Sequence, residues 1–206
     1  MTSIGIDLGT TNSAASTLIG DREEILDIEG DRTIRSVVSF EPGDDEVLVG
    51  NMAADLMERN PDVTVSSIKR HMVDDDYTVS IDDDSYEMTE YAPEEISALV
   101  LKKVLAGAEG SLGEAPDGAV ITVPADFPEN ARAATRRAGE LAGVDVLRLL
   151  SEPSAACVAY GLRDRDEDIE RVAVYDLGGG TFDISLVDVA HEDKFYDVVA
   201  TEGEQE

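Results

Sequence analysis

Two stretches of this chain end an apolar run with the same three residues and then turn. Ile4-Gly5-Ile6-Asp7-Leu8-Gly9-Thr10-Thr11 near the start returns as Ala173-Val174-Tyr175-Asp176-Leu177-Gly178-Gly179-Gly180-Thr181 farther on. A strand that ends in aspartate and enters a glycine/threonine turn offers backbone N–H groups at close range and a carboxylate able to hold hydrated Mg²⁺. One copy is a weak signal, because the same residues build ordinary tight hairpins. Two copies in register reverse those odds, since facing turns clamp a triphosphate from both sides.

Such a clamp needs a scaffold, and the hydropathy pattern supplies one. Residues 2–8 read as a buried strand, 9–12 as a turn, 14–19 as the returning strand and 24–29 as a third, with Ile25 and Asp27 alternating against Leu26 and Ile28. Between 36 and 90 the pattern predicts short strands at 37–40, 47–49, 77–81 and 86–88, and a helix over 52–59 that ends before Pro61. From Pro93, placed where a first-turn proline is tolerated, a helix carries Ile96, Leu99, Val100 and Val104 on one face. A strand at 119–123, a helix at 129–142 closed by Gly143, a strand at 144–150 and a helix at 152–160 follow. The acidic segment 163–170 reads as a linker, and strands are expected at 171–177, 182–189 and 195–201. Alternating strands and helices predict an α/β fold. The expected organisation is a first lobe from 1–35 and 91–165, an inserted subdomain from 36–90, and the opening strands of a second, incomplete lobe from 166–206.

Composition narrows the function. Sixteen basic against forty-six acidic residues give the 206-residue chain a net charge of −30, which repels nucleic acid and anionic lipid. The acids recur between apolar segments instead of forming one tail, and this reads as a solvated surface suited to high salt and a halophilic host. Cys157 is the only cysteine, so no intramolecular disulfide forms, and it reads as a small buried hydrophobe. No apolar run approaches the roughly 18 residues of a membrane helix, so a cytoplasmic protein is expected. None of the four lysines follows a glycine, which excludes the Gly-x-x-x-x-Gly-Lys-Ser/Thr phosphate loop. His71 and His191, the only histidines, lack metal-ligand spacing and read as surface residues.

The ordered segments Gly5-Ile6-Asp7-Leu8-Gly9-Thr10-Thr11-Asn12-Ser13, Ser67-Ile68-Lys69-Arg70, Ile121-Thr122-Val123-Pro124-Ala125, Glu152-Pro153-Ser154-Ala155-Ala156 and Asp176-Leu177-Gly178-Gly179-Gly180-Thr181-Phe182-Asp183 resemble the landmarks of the 70-kDa heat-shock chaperones, the DnaK-like family. The resemblance covers the chain nearly end to end and implies an actin-like α/β nucleotide-binding domain that uses ATP and Mg²⁺. Residue by residue, it implies that Asp7, Asp176 and Glu152 hold or line the hydrated Mg²⁺. Gly9, Thr10, Thr11, Gly178, Gly179, Gly180 and Thr181 would cradle the phosphates. Lys69 would be the catalytic lysine beside the γ-phosphate, Thr181 a γ-phosphate contact and Asp183 a supporting acid. Pro124 and Arg132 resemble residues that relay nucleotide state. Co-chaperones and a peptide-binding domain are partners by resemblance.

The chain departs from the family pattern at Arg35, where a proline is usual, at Val73, where glycine is common, and at Asp126, where an aromatic is usual. Residues 202–206 do not resemble the family's continuation. This implies a truncated domain with weak ATP binding, hydrolysis that is slow or undetectable, and self-association through 171–206. A sugar-kinase-like phosphotransferase and a catalytically silent scaffold fragment stand as alternatives.

Overall fold

The protein is described by a computed structural model covering residues 2–20, 22–40, 47–82, 88–160, 169–179, 181–190 and 195–205. Its main sheet takes β1 (Ser3–Leu8), β2 (Asn12–Ile19), β3 (Arg22–Ile25), β4 (Ile34–Arg35), β10 (Gly118–Val123) and β11 (Val146–Ser151) in the order β11-β10-β1-β2-β3, with β4 against β2. The β1, β10 and β11 strands run parallel, whereas β2 returns antiparallel on β1. Parallel neighbours need long crossovers, and the helices α2 (Pro93–Leu112) and α3 (Glu129–Ala142) provide cover. Ile4, Ile6, Val100, Leu101, Val104 and Ile121 are each no more than 2% exposed and form the centre of one core.

Both long helices begin and end as their sequences dictate. Pro93 occupies the first turn of α2, where its missing N–H costs nothing, and the Glu95 carboxylate accepts a 2.9 Å bond from the Ala92 N–H. Gly143 closes α3 with φ 92°, a left-handed conformation that favours glycine.

Between β4 and α2 lie two small sheets. The first, β6-β5-β7, joins β5 (Val37–Phe40), β6 (Val47–Val49) and β7 (Thr64–Ser66); the second pairs β8 (Val79–Ile81) with β9 (Thr89–Tyr91). The short helix α1 (Asn51–Ala54) and 3₁₀ turns at Pro61–Val63 and Ile68–Val73 connect them. After α4 (Glu152–Ala159), a separate antiparallel sheet forms from β12 (Ile169–Leu177), β13 (Thr181–Ala190) and β14 (Phe195–Gln205). One face of it packs Val187 and Val189 against Cys157 of α4.

Several elements differ from their sequence expectation. The helix expected over 52–59 stops at Ala54 and continues as turns, with Leu56 N–H bonded to Ala53 and Arg59 N–H to Leu56. Of α1's residues only Ala53 is buried, too little to extend a helix toward Pro61. The third strand spans 22–25: Leu26 keeps one bond from its N–H to the Ala15 carbonyl of β2, after which Ile28 fills the core in a bridge with Asp31 and Glu29 turns with φ 59°. The strand expected from 144 begins at Val146, since Val144 N–H closes α3 on the Gly139 carbonyl. The strand expected at 77–81 begins at Val79, because Tyr77 is held in a turn by Asp74 and stacks on His71 at 3.7 Å; His71 is therefore half-buried, not a surface residue. The strand expected at 86–88 falls largely outside the described residues and gives way to β9, while His191 lies outside them altogether. Most of the linker expected at 163–170 is outside them as well.

Candidate functional site

In a parallel sheet, ligands sit beyond the carboxyl ends of the strands. Three such ends converge here: Asp7 on β1, Thr122 near the end of β10, and Glu152 directly after β11. Glu152 is also the first residue of α4, whose N-terminus favours an acid, and the Ser151 hydroxyl caps that helix by accepting from Ser154 N–H at 3.3 Å. The second sheet closes the opposite side with Asp176 at the end of β12, Gly178 and Gly179 in the turn, and Asp183 on β13. Asp176 and Asp183 are register partners across β12 and β13. Between the two sides lies a cleft of about 550 Å³.

The lysine reaches this cleft from the 3₁₀ turn at Ile68–Val73. Ser67 precedes that turn with φ 56°, a left-handed backbone unusual for serine, and Lys69 ends up 7% exposed. Its Nζ contacts Glu152 Oε1 at 2.5 Å and stands 6.0 Å from the centroid of the Phe127 ring. Burial is the largest influence on Glu152 and pushes its carboxyl up; Lys69 pulls it back down through charge and hydrogen bond, while Asp7 and Asp176 push it up again. Asp183 is likewise raised, first by burial and then by the charges of Asp126 and Asp176.

The two glycine turns meet. A Cβ on Gly179 would stand 2.4 Å from Thr11 Oγ1, and one on Gly9 would stand 2.2 Å from the Asn12 carbonyl oxygen. A side chain at Gly9 would therefore run into backbone, whereas one at Gly179 would have to push the Thr11 side chain and its turn aside.

Asp7, Gly9, Thr10, Thr11, Lys69, Glu152, Asp176, Gly178, Gly179 and Asp183 all line the one cleft. Gly180 lies outside the described residues, and Thr181 is described only as the backbone start of β13. Pro124 is in the cleft wall; Arg132 is turned elsewhere, donating from Nε to the Phe127 carbonyl at 3.2 Å. Sequence reasoning gave no cleft role to Arg70, Thr122, Asp126 or Phe127, which also line it. A signal for Thr122 was present: it is the one hydroxyl in the apolar run Ala119-Val120-Ile121-Thr122-Val123. Its Oγ1 donates to Asp7 Oδ1 at 2.8 Å.

Among the described residues, no group of three or more His, Cys, Asp or Glu side chains is arranged to hold a metal ion directly. The carboxylates of Asp7, Glu152 and Asp176 instead surround open space. That donor set fits Mg²⁺, which keeps several of its waters, better than a fully dehydrated cation.

A main sheet with a parallel core, a second sheet across a cleft, and an Asp-Leu-Gly turn on each side make this the actin-like α/β fold. The family model described as "Hsp70 protein" matches residues 3–206. The chain belongs to the Hsp70 family. It is similar to the chaperone protein DnaK of Halobacterium salinarum strain R1 and to that of strain NRC-1. Each is 53% identical over 185 residues, covering 89% of this chain and 28% of the relative. The chain thus spans 28% of the length of these curated relatives.

Proposed function

We propose that the chain is the part of an Hsp70-type chaperone that binds Mg-ATP, and that the cleft between the two glycine turns is the nucleotide site. The observation that carries this reading is the convergence of both Asp-Leu-Gly turns and the partly buried Lys69–Glu152 pair on one cavity. Backbone N–H groups of Gly9 to Thr11 and of Gly178 to Thr181 cradle the phosphates. Asp7, Asp176 and Glu152 accept hydrogen bonds from the metal's water shell. Mg²⁺, when bound, neutralises charge on the phosphate oxygens. Lys69 places a compact cation near the transferring group, where charge develops during phosphoryl transfer.

Within this proposal residues 1–35 and 91–165 act as the first lobe, 36–90 as an inserted subdomain and 166–206 as the start of the second lobe. A cytoplasmic setting belongs to the same reading; among the described residues no helix is long and apolar enough to cross a membrane. Co-chaperones and a peptide-binding domain are partners on this reading. Self-association through 171–206 is favoured by Tyr175 and Leu177, exposed at 70% and 80%, on a face that α4 does not cover. Folding in high salt follows from the net charge of −30, since the Debye length is about 3 Å at 1 M salt against about 10 Å at 0.1 M.

Titration calorimetry in concentrated KCl tests the site. Heat with ATP that disappears in EDTA and in Asp7→Ala is the expected result. ATP binding that needs neither the metal nor Asp7 refutes the assignment, and phosphotransfer to a sugar would establish the kinase alternative.

A further inference from the structure

We infer that Thr122 is a positioning residue of the cleft: its hydroxyl holds the Asp7 carboxylate so that one oxygen faces the water shell of a divalent cation. The inference rests on the proposed nucleotide site. Asp7 and Thr122 are far apart in sequence, but β1 and β10 are parallel neighbours with Ile6 in register with Ile121. Side chains alternate along strands. Ile6 and Ile121 point together into the core, so the next residues, Asp7 and Thr122, stand side by side on the opposite face. Both line the cleft, and Thr122 Oγ1 lies 2.8 Å from Asp7 Oδ1.

The direction of this bond is settled by chemistry. An ionised carboxylate only accepts, so the threonine hydroxyl donates. The hydroxyl engages Oδ1 of Asp7 and not Oδ2. One oxygen is therefore anchored, which restricts rotation of the carboxylate and turns its other oxygen toward the cavity. Asp7 itself is exposed, so the bond adds little to folding stability, and its consequence is geometric. Mg²⁺ demands a near-ideal octahedron, whereas Ca²⁺ tolerates irregular geometry. A carboxylate held in one rotamer favours the first more than the second.

The test uses the whole chain in concentrated KCl, with ATP and either MgCl₂ or CaCl₂ as titrant. Thr122→Val keeps the shape and removes the donor; Thr122→Ala removes it without leaving a methyl group against the carboxylate; Thr122→Ser restores it. Both donor-free variants should need about tenfold more Mg²⁺ for half-maximal ATP binding, the usual scale for losing an outer-shell partner. Their Ca²⁺ requirement should change much less, and Thr122→Ser should match the unaltered chain. Equal shifts for the two metals, no shift, or failure of Thr122→Ser to rescue would each overturn the inference while leaving the nucleotide site standing. If the unaltered chain binds no ATP with either metal, the nucleotide site itself falls and this inference with it.

Discussion

The two Asp-Leu-Gly turns share a sequence but not a setting. The first leaves β1, a strand inside the main sheet, with β10 on one side and β2 on the other and with Ile4, Ile6 and Leu8 at most 3% exposed. The second leaves β12, at the edge of a three-stranded sheet, where Leu177, immediately after the aspartate, is 80% exposed. Identical chemistry is thus mounted once on a rigid support and once on a looser one. On the proposed reading, the phosphate turn after β1 stands on a buried support and the one after β12 on an exposed sheet edge, so more of the work of ligand binding falls on the second side.

Truncating the apolar residues that support each turn should separate the two most sharply. Ile121→Ala, beneath the first turn, should cost about 2–5 kcal/mol of stability, while Leu177→Ala beside the second should stay within about 0.5 kcal/mol. Chemical denaturation in concentrated KCl measures both, and equal losses would abolish the distinction.

Next in size is the contact between the turns. Gly179→Ala should weaken Mg-ATP binding on the order of tenfold, equivalent to about 1.4 kcal/mol, with little change in melting temperature, because the added methyl meets Thr11. Unchanged affinity by calorimetry would mean that the two turns do not act as one clamp. Hydrogen exchange gives a finer measure. Amides of 171–177 should exchange faster than those of 3–8, and ATP with Mg²⁺ should slow the former more. Uniform protection without nucleotide would remove the contrast.

The smallest expected effect is on pH dependence. Glu152 is raised above its ordinary value of 4.5, chiefly by burial. Its protonated form is the one folding favours, so its contribution to stability is complete below 4.5 and is lost as pH rises through the elevated folded value. Glu152→Gln should flatten that part of the stability–pH curve. A curve unaltered by the substitution would place the titration elsewhere.

Where periodicity was long, the sequence read well. The α3 helix occupies 129–142 as expected, and α2 begins at Pro93. The duplicated turns were legible because a strand, an aspartate and small residues recur in order. Short elements were not. Strand β7 and the 3₁₀ turn carrying Lys69 depend on tertiary partners, and three to six residues have too little pattern to reveal them. Thr122 and Asp126 were visible as residues, but their place in the cleft depends on the pairing of β1 with β10 and on the course of the chain after Val123. No local window of sequence contains that information.

Cys157 adds a consequence of a practical kind. Its sulfur sits on α4, 1% exposed, sealed by Val187 and Val189 of the second sheet. A thiol reagent in solvent reaches it only when that sheet lifts away from the helix. As the chain has one cysteine, every labelled molecule reports the same event. The rate of labelling is therefore a clock for the opening of the molecule along this seam, read without any engineered probe, and a ligand that ties the two sides together would slow it.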